Sequence, residues 1–136
     1  MIKKIDHVGI AVQSHATAKD VYEGLLGFHL RHAQEVPSQK VRTAFYPCGD
    51  VNLELLESTD AEGPIGKFLA NRGEGIHHVA FEVDDIRAEL ARLASRGVRL
   101  IDPEPRKGAH DAWVAFVHPK STRGVLVELV QHTRPH

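Results

Sequence analysis

The sequence has a single cysteine, so no disulfide can form within the chain. It also lacks any run of about 18 apolar residues and any signal-peptide pattern at its start, which predicts a cytoplasmic protein without a membrane-spanning helix. The sequence also has no large excess of positive or negative charge, because 17 basic and 18 acidic residues leave a formal charge of -1. No overall field therefore attracts nucleic acid or an anionic membrane, and any partner has to be recognised locally.

What is present suffices for one domain with a packed core, since the chain has 136 residues, of which 42% are hydrophobic and 26% are charged. The unusual feature is histidine, of which there are 10. Surplus imidazole serves most often in metal binding and proton transfer. The histidines are therefore the first place to look for a site.

The chain contains an internal repeat: residues 5–12 (IDHVGIAV) return half a chain later as 76–83 (IHHVAFEV). Each copy is followed by a stretch with helical periodicity, a glycine that suits the position after a helix C-terminus, and runs of β-branched and aromatic residues. These parts are 17–26, Gly27, 41–46 and 51–56 in the first copy, and 85–95, Gly97, 113–117 and 124–130 in the second.

The order strand, helix, strands in both copies predicts an α+β fold of two tandem βαβββ modules. Neither module can enclose a core alone, so we expect their sheets to lie side by side as one curved, cup-like mixed sheet with the helices on the outside. The boundaries are 1–57 for the first module, 58–75 for a linker with a short helix, and 76–132 for the second module. The predicted buried helix stripes are Val21, Tyr22, Leu25 and Leu26 in the first helix, and Ile86, Leu90 and Leu93 in the second.

Alternation along the strands selects the residues inside the cup, because successive side chains point to opposite faces. In the first strand, the larger apolar face of valine and isoleucine should meet the helix, which leaves His7 on the other face. In the second copy, the same alternation favours His78 over its neighbour His77.

The last strand of each module contains one glutamate between apolar residues, Glu54 in the first and Glu128 in the second. These glutamates should point into the cup together with His7 and His78. Two buried carboxylates repel each other unless a positive charge lies between them. Two neutral imidazoles and two carboxylates suit a divalent cation and leave two of six coordination positions open, which is typical of catalysis rather than structure.

Five segments carry these residues and their neighbours: 6–12 (DHVGIAV), 53–57 (LELLE), 73–80 (GEGIHHVA), 116–121 (FVHPKS) and 124–129 (GVLVEL). Together they resemble the methylmalonyl-CoA epimerases of the vicinal oxygen chelate (glyoxalase-like) superfamily. The resemblance covers nearly the whole chain. Its most specific parts are the Gly-Glu-Gly-Ile-His-His and His-Pro-Lys-Ser sequences.

The resemblance implies interconversion of (2R)- and (2S)-methylmalonyl-CoA by removal and return of the C2 proton through a metal-stabilised enolate. It also implies one divalent ion per chain, Co(II) or else Mn(II) or a similar ion, and a homodimer. The family's metal ligands fall on His7, Glu54, His78 and Glu128, in agreement with strand alternation, and some relatives have glutamine at the position of Glu54. Glu128 is also the implied proton-transfer residue.

At one position the chain departs from the family pattern. In some members, a glutamate that is not a metal ligand has been proposed as an acid–base group on the strand that corresponds to 41–46, and this chain has Thr43 there. Threonine cannot serve as that base. The second proton donor stays open between Glu35, Lys40 and a water.

The phosphates of coenzyme A favour a cationic rim at the site. Four basic residues in the irregular stretch 102–111 and near the 118–121 turn are candidates, namely Arg106, Lys107, Lys120 and Arg123. His132 and His136, in the tail, are predicted to be disordered or solvated.

Other functions share this scaffold. A glyoxalase-type isomerase or an extradiol dioxygenase would use the same metal site, although a dioxygenase iron usually has two histidines and one carboxylate, one ligand fewer than here. A module that binds a small molecule without chemistry often lacks the four ligands. We therefore expect the epimerase.

Overall fold

The computed structural model describes residues 1–133, which form two compact units. The N-terminal unit is His7–His77. The C-terminal unit joins Met1–Asp6 to residues 78–133. Each unit is built around a four-stranded sheet with a helix after its first strand.

The N-terminal unit contains five regular elements followed by a short connecting helix. They are β1 (Ile2–Val12, of which residues 7–12 belong to this unit), α1 (His15–Lys19) with a π-helical continuation (Asp20–Leu25), β2 (His32–Val36), β3 (Val41–Cys48), β4 (Val51–Ser58) and α2 (Pro64–Arg72). The strand order is β2-β3-β4-β1, with β1 parallel to β4 and the other neighbours antiparallel. Helix α2 lies where the sequence predicts a short helix in the linker.

The C-terminal unit repeats this arrangement. Its elements are β5 (Gly75–Val83, of which residues 78–83 belong to this unit), α3 (Ile86–Ser95), β6 (Arg106–Lys107), β7 (Trp113–Val117) and β8 (Val127–Gln131). The strand order is β5-β8-β7-β6, with β5 parallel to β8 and the other neighbours antiparallel. The predicted α+β class, with the order βαβββ in each half, is therefore confirmed.

Helix α3 packs as its periodicity predicts. Its N-cap is Asp85, whose carboxylate accepts a 3.1 Å hydrogen bond from the Ala88 N–H. Ile86 and Leu90 are buried and pack in one cluster with Val83 of the preceding strand. The side of the sheet that faces α3 is therefore the apolar side, and the opposite side is left for the site.

The first helix differs from its prediction. Instead of one α-helix over 17–26, α1 gives way to π-helical winding, in which the Leu26 N–H bonds to the carbonyl of Val21 five residues back (2.9 Å). The wider turn rotates most of the predicted stripe away from the sheet, so Val21, Leu25 and Leu26 are 43%, 80% and 60% exposed. Only Tyr22 of the four packs against the core.

The π-helical segment is joined to the sheet at Tyr46 in β3. The Tyr46 hydroxyl donates a 2.7 Å hydrogen bond to the Glu23 carboxylate. Burial, together with the Glu23 charge, raises the pKa of Tyr46 to about 12, so the phenol remains a donor. The even-numbered residues of β3 therefore face the helix, and the odd-numbered ones face the opposite side.

The stretch 102–111, predicted to be irregular, contains the two-residue strand β6 and a 3₁₀ turn, Ala109–Asp111. His110 and Asp111 in this turn have φ angles of 56° and 60°. Among residues 1–133, no helix is both long and apolar enough to cross a membrane.

Candidate metal centre

His7 and Glu54 lie on the side of the N-terminal sheet away from the helix. Strand β1 packs Val12 into the helix-side core, which leaves His7 on the other face, and β4 places Leu55 in that core and Glu54 opposite. His7 and Glu54 are both buried, and His7 Nδ1 lies 3.1 Å from Glu54 Oε2. We refer to these two residues as the N-terminal pair.

The C-terminal unit contains the corresponding C-terminal pair, His78 and Glu128. His78 Nε2 lies 3.0 Å from Glu128 Oε1, and both side chains are buried. Leu129, the residue after Glu128, lies in the helix-side core. The neighbouring His77 belongs to the N-terminal unit, where its ring meets the ring of Phe68 edge-on at 5.0 Å. His78, and not His77, therefore lies on the face of β5 that Ala80 shares with Glu128.

The two pairs occupy the same position in the strand register. In each unit, the glutamate is the register partner of the residue two positions after the histidine, Gly9 for Glu54 and Ala80 for Glu128. In each unit the two strands are parallel neighbours. The sequence repeat thus extends to the geometry of the pairs.

The donor atoms of each pair fit a divalent cation. Two atoms bound to one ion at about 2.1 Å lie about 3.0 Å apart at an octahedral angle and about 3.4 Å apart at a tetrahedral angle. The observed separations of 3.1 Å and 3.0 Å match the octahedral spacing. Both carboxylates are buried, where a negative charge is costly without a cation nearby.

Two phenylalanines that the sequence pattern does not single out stand beside the glutamates. Phe45 is the register partner of Glu54, and Phe116 is the register partner of Glu128. Phe45 is fully buried, and the ring of Phe116 meets that of His78 edge-on at 5.4 Å. In the sequence, each phenylalanine lies in the strand that precedes the glutamate's strand in a hairpin. That order does not show that the two residues are opposite each other until the pairing register of the hairpin is known.

Comparison with known proteins identifies the family. A family model described as the Glyoxalase/Bleomycin resistance protein/Dioxygenase superfamily matches residues 6–116. The chain belongs to this superfamily. The predicted membership of this superfamily is thereby confirmed.

Two relatives within the superfamily share nearly the whole chain. The mitochondrial methylmalonyl-CoA epimerase of Dictyostelium discoideum is 40% identical over 94% of this chain and 78% of its own length. The ethylmalonyl-CoA/methylmalonyl-CoA epimerase of Cereibacter sphaeroides is 39% identical over 96% of this chain and 99% of its own.

A solved structure extends the comparison to the fold. The structure of a methylmalonyl-CoA epimerase in complex with methylmalonyl-CoA and NH4+ has a TM-score of 0.92 and 37% identity, covering 98% of this chain and 96% of the other. The fold of the superfamily therefore extends over nearly the whole chain.

Of the four basic residues predicted for the substrate rim, Arg106 and Lys107 lie in β6, on opposite faces of the C-terminal sheet. Arg106 lies on the face of the sheet that carries Glu128. Its guanidinium lies 5.9 Å from the centre of the Phe116 ring. Lys107 is on the opposite face, with its ammonium 4.3 Å from the centre of the Trp113 ring.

Lys120 and Arg123 are exposed in the connection between β7 and β8. The Lys120 N–H donates a 3.0 Å hydrogen bond to His118 Nδ1. Partial loss of water and the charges of Arg99 and Lys120 lower the pKa of His118, which favours the neutral ring that accepts this bond. The cationic side chains of the connection are therefore presented to solvent.

Thr43 marks the departure from the epimerase pattern within the superfamily. It is buried in β3 on the face of the N-terminal pair, with Gln34 of β2 as its register partner. Glu35 is exposed and points to the opposite face of β2, and Lys40 forms a surface ion pair with Asp60 at 3.4 Å. Neither Glu35 nor Lys40, the two side chains considered as the second proton donor, therefore faces the N-terminal pair.

His132 is not solvated, so this prediction is wrong. Its side chain is 10% exposed, and its Nε2 lies 2.6 Å from Asp6 Oδ1. A carboxylate oxygen of Glu82 lies within 4.8 Å of the Asp6 carboxylate and of the His132 ring, and Glu82 Oε2 also lies 3.6 Å from the ammonium of Lys3. These contacts hold the first six residues to the C-terminal unit. The other tail histidine, His136, lies outside the described residues.

Proposed function

We propose that this protein is an epimerase that interconverts (2R)- and (2S)-methylmalonyl-CoA by removing and returning the proton at C2. The proposal is carried by the buried histidine–glutamate pair that recurs at the same register in both units. It is supported by the 40% and 39% identity to two proteins named as epimerases of this substrate.

The two pairs together are proposed to bind one divalent cation through His7, Glu54, His78 and Glu128. Co(II) is the first candidate, with Mn(II) or a similar ion as the alternative, because mixed imidazole and carboxylate donors suit first-row ions. When bound, such an ion supplies positive charge for the thioester oxygen as the C2 proton leaves. Four protein donors leave two of six positions for the substrate.

Glu128 is proposed to take up the C2 proton. Its carboxylate is buried, so few water molecules compete for the proton, and the His78 ring at 3.0 Å restricts its orientation. Phe116, the register partner of Glu128, is buried and places an apolar ring beside His78. A positioned base of this kind contributes about 10²- to 10⁴-fold to the rate.

Basic side chains are proposed to bind the phosphates of coenzyme A. Arg106 shares a face with Glu128, and Lys120 and Arg123 are exposed in the following connection. Lys107 would have to leave its 3.2 Å ion pair with Asp111 to join them. Guanidinium and ammonium groups both form charge-assisted hydrogen bonds with phosphate.

We also propose that the protein is a cytoplasmic homodimer. Apolar side chains of the segment 21–30 remain in water, and a second copy could cover them. The exposed side chains are Val21, Leu25, Leu26 and Leu30, at 43%, 80%, 60% and 47%. The exposed thiol of Cys48 suits a reducing compartment.

Deuterium labelling tests the proposed reaction. The purified protein is loaded with Co(II) and incubated in deuterium oxide with one epimer of methylmalonyl-CoA. We expect the other epimer to appear together with deuterium at C2. Binding of the thioester without any label would instead favour the non-catalytic module, and the epimerase proposal would be withdrawn.

Thr43→Ala is expected to change kcat by less than about tenfold, because a threonine hydroxyl cannot exchange protons with C2 at neutral pH. The measurement is the steady-state rate of epimerisation. Thr43→Val, which keeps the branched shape, separates packing from the hydroxyl. A loss of about a thousandfold in both variants would mean that Thr43 takes part in the chemistry.

A further inference from the structure

His32 shares a sheet face with the N-terminal pair. The register places His32 of β2 opposite Phe45 of β3, and Phe45 opposite Glu54 of β4, so the three side chains form one row across three strands. The His32 and Phe45 rings stack, with centres 4.6 Å apart and planes 24° apart. Phe45 is fully buried, whereas His32 is only half-buried, so the imidazole covers the phenylalanine and keeps part of its own surface accessible.

Few groups on this face can exchange protons. Among the residues that β1 to β4 direct to this side of the N-terminal unit, the titratable ones are His7, His32 and Glu54. His7 and Glu54 form the pair that is proposed to bind the cation. His32 is therefore the titratable strand residue of this face that has no proposed ligand role, and an imidazole can take up and release protons near neutral pH.

We propose that His32 is the second proton-transfer residue, an inference that rests on the epimerase function proposed above. Inversion at C2 requires one group that removes the proton from one side of the carbon and another that delivers a proton to the opposite side. Thr43 lacks a titratable group, whereas His32 lies one row away on the same face. The imidazole thus supplies the acid–base function that this strand pair would otherwise lack.

The proton balance closes with these two residues. In one direction, the C2–H bond breaks, the proton passes to the Glu128 carboxylate, and the electron pair stays in the thioester enolate. The protonated ring of His32 then forms the new C2–H bond and becomes neutral. In the other direction, neutral His32 removes the proton and protonated Glu128 returns one. Exchange with solvent restores both groups.

The C-terminal unit provides an informative contrast. There, Phe116 is the register partner of Glu128, and the guanidinium of Arg106 lies over the Phe116 ring. In the N-terminal unit, Phe45 is the register partner of Glu54, and the imidazole of His32 stacks on the Phe45 ring. A guanidinium remains protonated in proteins, so it can bind an anion but cannot accept a proton. Of the two basic groups stacked beside the glutamates, only the histidine is able to act in both directions.

The test is His32→Gln, assayed with each epimer separately in deuterium oxide. The epimer whose proton Glu128 removes should still exchange its C2 hydrogen with retention of configuration, within about threefold of the unchanged protein. Its conversion to the other epimer should fall by about 10²- to 10⁴-fold. The other epimer, whose proton His32 removes, should lose both exchange and conversion.

Controls separate this role from a structural one. His32→Phe keeps a ring on Phe45 and should show the same asymmetry between the epimers, while Gln34→Ala, on the same face of β2, should leave both rates unchanged. Metal content and the unfolding midpoint of each variant report on folding. Equal loss of exchange for both epimers, or full conversion by both His32 variants, would overturn the proposal. An unchanged protein that converts neither epimer would instead refute the epimerase function, and the role of His32 with it.

Discussion

His78→Ala is expected to lose bound metal and epimerase activity together, whereas His77→Ala keeps both. His78 is buried, and its Nε2 lies 3.0 Å from Glu128 Oε1. Its removal therefore deletes one metal donor and allows the Glu128 carboxylate to turn away. Changes to residues that only support a ligand lower metal affinity by about 10- to 100-fold, and loss of a ligand itself should exceed that range. The measurement is metal content per chain alongside the rate of epimerisation.

The adjacent histidine is a closely matched control. His77 has the same chemistry and lies one position away, but its ring contacts Phe68. Glu54→Ala should behave like His78→Ala, whereas Glu54→Gln keeps an oxygen donor and should retain metal. If His77→Ala lost as much metal as His78→Ala, the assignment of faces along β5 would be wrong.

Glu128→Gln is expected to keep most of its metal but to lose about 10²- to 10⁴-fold in C2 exchange of the epimer whose proton Glu128 removes. The amide oxygen can replace the carboxylate oxygen as a donor, but an amide cannot accept the C2 proton. Measurement of deuterium incorporation under saturating metal isolates the proton transfer from any weaker binding of the ion.

Glu54→Gln provides the comparison for Glu128→Gln, because the two glutamates occupy the same register position in their units. Of the two glutamates, only Glu128 is assigned a proton-transfer role, so C2 exchange in Glu54→Gln should fall by less than about tenfold. Similar losses in the two variants would mean that both carboxylates act only as ligands, and that the base lies elsewhere.

The residues of the two pairs could be predicted because strand alternation depends only on local sequence. His7 and His78 each lie on the face of a strand opposite its larger apolar side chains, and the glutamates repeat that pattern. The internal repeat added the second, independent copy. Local periodicity and symmetry together were therefore enough to select four residues.

Features that depend on pairing between distant segments could not be predicted in this way. Phe45 and His32 become part of the site only through the registers of β3 with β4 and of β2 with β3. His132 is only 10% exposed because its ring lies against Asp6, which is far away in sequence. No local pattern reports such contacts.

The first helix shows a different reason for failure. Its apolar residues repeat with α-helical spacing, and the stripe was expected to be buried. The π-helical winding changes the angle between successive residues, so Leu25 and Leu26 point to solvent. A hydrophobic pattern predicts which residues share a face only if the winding of the helix is known.

The central claim is that the N-terminal and C-terminal pairs bind one catalytic cation. Anomalous diffraction from crystals grown with Co(II) tests it most directly. We expect one cobalt peak per chain, with His7, Glu54, His78 and Glu128 as its protein ligands. A cobalt ion held by other residues, or two pairs that keep their 3.1 Å and 3.0 Å separations with no metal bound at saturating Co(II), would contradict the account.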